Sequence, residues 1–212
     1  MFLKVMRNLF LFHVFILSVL ILPIEIRSQD WEFAREKDGI KVFTREESGN
    51  YKSYRGETKF RAEVSAILEI IEDMEKLTEW DEDIREMKVL SHKKGRSLTY
   101  YTVYDVPWPF SDRDLCVKDT IIADPSSGIV TVTGISAPNE VPLNKDYVRI
   151  TEFHEKWIIE PIGNGFIRLI LEGFAHPAGD IPAWAANMAV TDTPLNMIRA
   201  IKQRIGKDNK VE

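Results

Sequence analysis

The sequence predicts an α+β domain in which an antiparallel sheet packs against a long C-terminal helix. Three observations carry this. Short alternating segments separated by turn residues fill most of residues 31–174, the pattern of antiparallel strands. Between them, Val64 to Met74 switches to helical spacing. A second helical segment closes the chain beyond Ile181, so strands and helices do not alternate as a parallel sheet requires.

The elements follow in order. Trp31 to Glu36 is a short opening segment, and Asp38-Gly39 is a turn pair. Ile40–Arg45 and Tyr51–Phe60 alternate and form a hairpin around Ser48-Gly49-Asn50. In the first helix Val64, Ile67, Leu68, Ile71 and Met74 share a face, with Glu63, Glu69, Glu72 and Asp73 mostly opposite. Lys76 to Trp80 closes this helical region. Strands are then expected at Ile84–Ser91, Ser97–Val106, Arg113–Ala123, Ile129–Ser136, Tyr147–Glu160 and Phe166–Phe174. Pro107-Trp108-Pro109 interrupts them, and Pro138 to Lys145 is a longer loop. Ile181 and Pro182 open the last helix, with Asp180 available as N-cap. Trp184, Met188, Thr191, Leu195, Ile198, Ile201 and Ile205 lie along one face. Pro194 predicts a kink, and Gly206 marks the end.

The first 28 residues stand apart. Lys4 and Arg7 precede an almost unbroken apolar run, Leu9 to Leu22, which Pro23 ends. Basic start, apolar run and polar exit read as an export signal. The run is shorter than the roughly 20 residues of a bilayer span. Ile26-Arg27-Ser28 is a poor cleavage site, so two outcomes are carried. One is a cleaved signal over residues 1–28 and a periplasmic or secreted protein. The other is an anchor through residues 9–22. The folded domain is expected over residues 29–206, with a polar tail at 207–212. Without the first 28 residues, 25 basic and 32 acidic residues remain, a net charge of −7. An acidic chain without a basic cluster is a poor nucleic-acid binder, because phosphate contacts dominate that affinity.

Several chemistries lack their motifs. There is no GxSxG, P-loop, HExxH or CxxC pattern. His92, His154 and His176 have no metal-ligand spacing and read as solvated. No metal, cofactor or catalytic residue is expected. Cys116 is the single cysteine and reads as a small buried hydrophobe.

Four landmarks resemble the START lipid-transfer family. They are Glu79-Trp80 at the end of the first helical region, the strand Met87-Lys88-Val89-Leu90, the stretch Pro109 to Asp114 ending in Arg113-Asp114, and Gly179 to Trp184 opening the last helix. Their order and spacing cover about residues 31–205. The resemblance implies a helix-grip fold, a curved antiparallel sheet gripping the C-terminal helix around a tunnel for one hydrophobic molecule. It implies binding or carriage of a sterol, phospholipid or other lipid, with transient membrane contact and no bond making.

Within that fold, Trp184, Met188, Thr191 and Leu195 would roof the cavity as well as pack the core. Ala183, Ala185, Ala186 and Ala189 would permit close approach or leave space, in a region that moves to admit ligand. The family places an acid at Glu79, beside Trp80, near the cavity, where Arg85 or Arg149 would pair with it; a buried charge without a partner costs several kcal/mol or more. Tyr100 and Tyr104 share a strand face, and an apolar ring with a polar tip suits a cavity wall as well as ordinary packing. Met87 completes the expected ligand contacts. Arg113 and Asp114 read as structural. A monomer is expected. Two alternatives remain open: a helix-grip enzyme acting on a hydrophobic molecule through Glu79 or Tyr104, and an interaction module with a vestigial cavity.

Overall fold

The computed structural model describes residues 30–73, 76 and 83–208. Strands β1 (Glu32–Lys37), β2 (Ile40–Glu46) and β3 (Lys52–Arg61) precede helix α1 (Val64–Glu72). Strands β4 (Ile84–Lys93), β5 (Ser97–Tyr104), β6 (Arg113–Ala123), β7 (Val130–Ser136), β8 (Val148–Arg149), β9 (Phe153–Gly163) and β10 (Phe166–Ala175) follow. Helices α2 (Ala183–Ala189) and α3 (Asp192–Asp208) close the chain. The strands form one sheet in the order β1-β2-β3-β10-β9-β7-β6-β5-β4, antiparallel throughout, with the short β8 added parallel to β6. Beyond the hairpins, β3 pairs with β10, so the third strand and the last meet mid-sheet.

One face of the sheet carries the core. Ile40 and Val42 of β2, Ile167, Leu169 and Leu171 of β10, and Trp157 and Ile159 of β9 are buried there under Ile67, Ile70 and Ile71 of α1 and Leu195, Ile198 and Ile201 of α3. Leu98, Tyr100, Leu115 and Val117 form a second cluster toward the β4 end. The helix α3 sits very close to β3. A Cβ on Gly56 would lie 2.6 Å from Ile198 Cδ1 and 2.9 Å from Pro194 Cβ.

The sequence expectations hold for the element order and for most strands. Four differences have physical causes. The opening segment is a true strand, because its backbone pairs with β2. The expected strand Tyr147–Glu160 divides into β8 and β9, which pair with different neighbours. Glu72, expected on the polar face of α1, is buried, and it accepts hydrogen bonds from His92 Nε2 at 2.9 Å and the Gly95 amide at 2.8 Å. It thereby ties α1 to the β4–β5 turn.

The fourth difference is the last helix, which breaks at Val190-Thr191 instead of kinking at Pro194. Proline has no N–H to offer the Val190 carbonyl, but the loss is harmless within the first turn, where N–H groups have no intrahelical partner. The chain therefore starts a new helix two residues before Pro194. The Thr193 hydroxyl donates to the Ala189 carbonyl at 3.2 Å and satisfies one open end of α2. Pro182, not Asp180, occupies the N-cap of α2, and α3 runs two residues past Gly206.

The opposite face of the sheet is organised by one buried ion pair. Arg149 Nε and Nη2 donate to the two carboxylate oxygens of Asp114 at 2.8 and 2.7 Å, and the Tyr101 hydroxyl donates to Asp114 at 3.0 Å. The remaining guanidinium hydrogens reach the carbonyls of Pro138, Val141 and Pro142. The 137–147 loop is thus held over Tyr101, Val103 and Cys116, and Cys116 is buried as expected. Breaking a buried pair leaves a charge without compensation and costs about 3–5 kcal/mol. Arg149→Ala is therefore expected to destabilise the domain by that amount in urea unfolding, and Cys116 should become reactive to a thiol reagent in the variant.

Candidate ligand cavity and its polar seam

A cavity of about 230 Å³ lies between α2 and the ends of β3, β5, β6 and β10. Its walls are mostly apolar and include Val106, Ile150, Ile181, Ala186 and Val190. Tyr54 and Tyr104 line it, and so do Lys52 and Arg113. Arg113 donates to the carbonyls of Pro177 at 3.1 Å, Ala178 at 3.2 Å and Ser111, which holds the loop leading into α2. Tyr51 donates to the Ile181 carbonyl at 3.0 Å, and its ring meets that of His176 at 4.4 Å. Asn187 reaches the Asn50 carbonyl at 2.8 Å. The helix α2 is otherwise lightly held, for none of its seven residues is buried.

Beside Tyr54 a polar row runs across the inner face. The strand register aligns Tyr54 of β3, Gly173 of β10, Glu155 of β9, Gly134 of β7 and Asp119 of β6. The two glycines make the row possible. A Cβ on Gly173 would fall 2.3 Å from the Tyr54 hydroxyl, and one on Gly134 would fall 2.5 Å from an Asp119 carboxylate oxygen. Tyr54 therefore lies over Gly173 and donates to Glu155 at 3.1 Å, while Trp157 Nε1 donates to the other Glu155 oxygen at 2.7 Å. Asp119 leans over Gly134 toward the same place.

Both acids are deeply buried, Glu155 at 8% exposure and Asp119 at 5%. Burial pushes the Asp119 carboxyl up to about 7, and the charge of Glu155 adds to the rise. Burial pushes Glu155 up to about 7 as well, against the pull of the bonds from Trp157 and Tyr54. Tyr100 stands in the same field, and burial with the charges of Asp119 and Glu155 drives its hydroxyl well above the usual tyrosine range.

Comparison with known proteins places this arrangement. The START domain is matched over residues 16–210. The chain belongs to the START domain family. An uncharacterized protein of Pseudomonas aeruginosa is 31% identical over 181 residues, 85% of this chain and 89% of its own. The phosphatidylcholine transfer protein of Mus musculus is 22% identical over 176 residues, 80% of this chain and 81% of its own. Among solved structures, a STAR-related lipid transfer protein fragment from Xanthomonas axonopodis superposes with a TM-score of 0.75 at 27% identity, covering 82% of this chain and 98% of that one. Human StAR-related lipid transfer protein 5 shares the fold at 13% identity, with a TM-score of 0.70 and coverage of 91% and 94%. The antiparallel sheet packed against C-terminal helices is the helix-grip architecture that the landmarks imply.

Within this START domain the expected site residues separate. Tyr104 lines the cavity, and Tyr100 is buried on the same strand face, beside Asp119 and Glu155. Met87 is half-buried against the second apolar cluster. Leu195 is in the core under α3. Trp184 and Met188 point outward instead of roofing the cavity, at 70% and 72% exposure. The half-buried Thr191 lies in the helix break. One continuous helical face does not exist here, because the break resets the helical phase; Ala186, Asn187 and Ala189 face the cavity instead. Arg149 belongs to Asp114 on the opposite face, and Arg85 pairs with Asp105 and with Asp112 at 2.8 Å, so each already has a carboxylate partner. Glu79 and Trp80 lie outside the described residues. Arg113 and Asp114 are structural as expected, through backbone carbonyls and the Arg149 pair. Of the histidines, His154 is exposed, while His92 bonds Glu72 and His176 accepts from the Ala178 amide.

Asp119 and Glu155 escape the sequence reading altogether. The available signal was parity, since Glu155 alternates in phase with Trp157 and Ile159, and Asp119 with Leu115, Val117 and Ile121.

The two acids make a pH prediction. Their folded-state values lie above the ordinary carboxylate range of about 4. The folded state then binds more protons than the unfolded chain between about 4 and about 7, so stability is greatest below that window and falls as pH rises through it. The fall is expected to be up to roughly 4 kcal/mol per group. Urea midpoints at about pH 5 and about pH 8 should differ in that direction, and Asp119→Asn with Glu155→Gln should flatten the difference.

Proposed function

We propose that the protein binds one lipid in this cavity and carries it, with α2 as the element that opens. The observation that carries the reading is an apolar-walled cavity bounded by a helix that buries none of its own residues, in a domain of the START family. The name of the mouse relative says that it transfers phosphatidylcholine, which supports a lipid as the cargo class. Apolar burial alone supplies ample driving force, at roughly 25 cal/mol per Å².

The cavity supports a moving α2 by its size. It is smaller than the ~300–1,000 Å³ of common ligand pockets, so a lipid needs more room than the closed form gives. An element with little buried surface is the one that opens at least cost. Trp184 and Met188 on the outer side of α2, and Trp108 in the loop that follows the cavity residue Val106, are exposed apolar side chains. They support transient contact with a membrane surface while α2 is open. The basic start and apolar run of residues 1–28 support export, where a carrier between membranes has work to do. No helix among the described residues is long and apolar enough to cross a membrane.

Mass spectrometry of lipids extracted from the purified protein tests the reading. One lipid class is expected near one molecule per chain. Ala186→Trp should fill the cavity from α2 and weaken uptake by about five- to a hundredfold, the equivalent of about 1–3 kcal/mol of overpacking, with the fold intact by circular dichroism. An empty protein that takes up no sterol, phospholipid or fatty acid would reject the proposal.

A further inference from the structure

The chain is acidic, yet the sheet assembles a basic platform from lysines far apart in sequence. It lies on the outer face, opposite the helices. Strand register sets Lys93, Ser97, Thr120, Thr133 and Lys156 in one transverse row. The next row runs through Thr99, Lys118 and Ile135. Neighbouring strands stand about 4.8 Å apart, so the row from β4 to β9 is about 19 Å long. Lys93, Lys118 and Lys156 are all exposed, and so is Arg96 in the adjoining β4–β5 turn. None of the four is paired with a carboxylate among the described residues.

The acids of this face are engaged elsewhere. Asp114 is buried against Arg149. Glu172, in register with Lys156, accepts from Arg55 at 2.6 Å, and Glu160 pairs with Arg168 at 3.4 Å. Asp124, in the turn beyond β6, accepts from the hydroxyls of Ser126 and Ser127. Glu86 shares the other end of β4 with Lys88, and the two offset each other. The exposed acids of α1, Glu63 and Glu69, lie across the core. Packed layers stand about 10 Å apart. That exceeds the roughly 8 Å over which charges act at physiological salt, so the local sign decides.

The residue types narrow the partner. Arginine's planar fork suits fixed carboxylates and phosphates, whereas lysine is a point charge on a flexible stem. Three lysines spread over a broad face match a surface whose charges are mobile and unpatterned. Between and beside them lie Thr120, Thr133, Ile135 and Ile122, and the two isoleucines are 54% and 64% exposed. We propose that this outer face docks the domain on an anionic lipid bilayer through Lys93, Lys118 and Lys156. The contact is distinct from that of α2, and it leaves α2 unobstructed because the helices occupy the other face. It does not depend on what the cavity carries.

The test is sedimentation of the full-length protein with two kinds of vesicle, one of equal parts phosphatidylglycerol and phosphatidylcholine, the other of phosphatidylcholine alone. Near 0.05 M salt, partition to the anionic vesicles should be higher by at least about tenfold, and near 0.5 M salt the difference should vanish. Lys118→Gln with Lys156→Gln should cut partition to the anionic vesicles by about twenty-five-fold, fivefold for each lysine, and leave partition to phosphatidylcholine unchanged. Trp184→Ala with Met188→Ala should leave the preference for phosphatidylglycerol in place. Equal partition of the parent to both vesicles overturns the proposal. So does a preference that survives the lysine substitutions, or one that the α2 substitutions abolish. If the vesicles show no preference and immobilised polyglutamate retains the parent but not the lysine variant, the face belongs to an acidic protein instead, and the membrane assignment falls. None of these outcomes bears on the cargo, which lipid extraction decides separately.

Discussion

The cavity follows from one backbone constraint, the absent N–H of Pro194. A continuous helix from Ala183 to Asp208 would lie along the sheet and bury its apolar side throughout. Proline cannot bond the Val190 carbonyl, so the chain restarts, and Pro194 becomes part of the first turn of α3. There it is buried and packs, with Ile198, into the space above Gly56. That close seating fixes α3 against β3. The segment before it is left with alanines on the cavity side and is anchored by hydroxyl and amide contacts at its ends. The hollow is what remains between a tightly seated helix and a loosely held one.

The second constraint is electrostatic. A sheet face that buries Trp157, Ile159, Leu169 and Val117 also buries two carboxyl groups on strands separated only by β7. Among the described residues no arginine pairs with them as Arg149 pairs with Asp114 on the other side. The acids meet this by holding protons to higher pH than exposed carboxylates do. Such a cluster weakens a domain at neutral pH compared with an apolar row of similar volume. Native sequences keep features of this kind mainly where they serve a site, and strain of this sort belongs to the few places where local rules are broken.

The element order was legible because each signal is local. Turn pairs, alternation and the change of period at Val64 need only a few residues of context, and the Pro107-Trp108-Pro109 interruption is visible at a glance. The site was not, for two reasons. Trp184, Met188, Thr191 and Leu195 are evenly spaced only if the helix keeps its phase, and Pro194 imposes a restart whose position depends on where it can pack. Asp119 and Glu155 sit between lysines, threonine and histidine, so each reads as a polar position on a half-exposed strand. Their meeting depends on β7 lying between β6 and β9 with Gly134 in register with both. Register is a long-range property, and a slip of one residue would turn both acids to the other face.

On the carrier reading, the seating of α3 and the hold on α2 would bear on ligand exchange. Anything that binds the folded form alone stabilises it by mass action. On that reading the light anchoring of α2 would keep the barrier to exchange low. A carrier needs such a wall, since an apolar cavity of high affinity without a mobile wall would hold its cargo indefinitely.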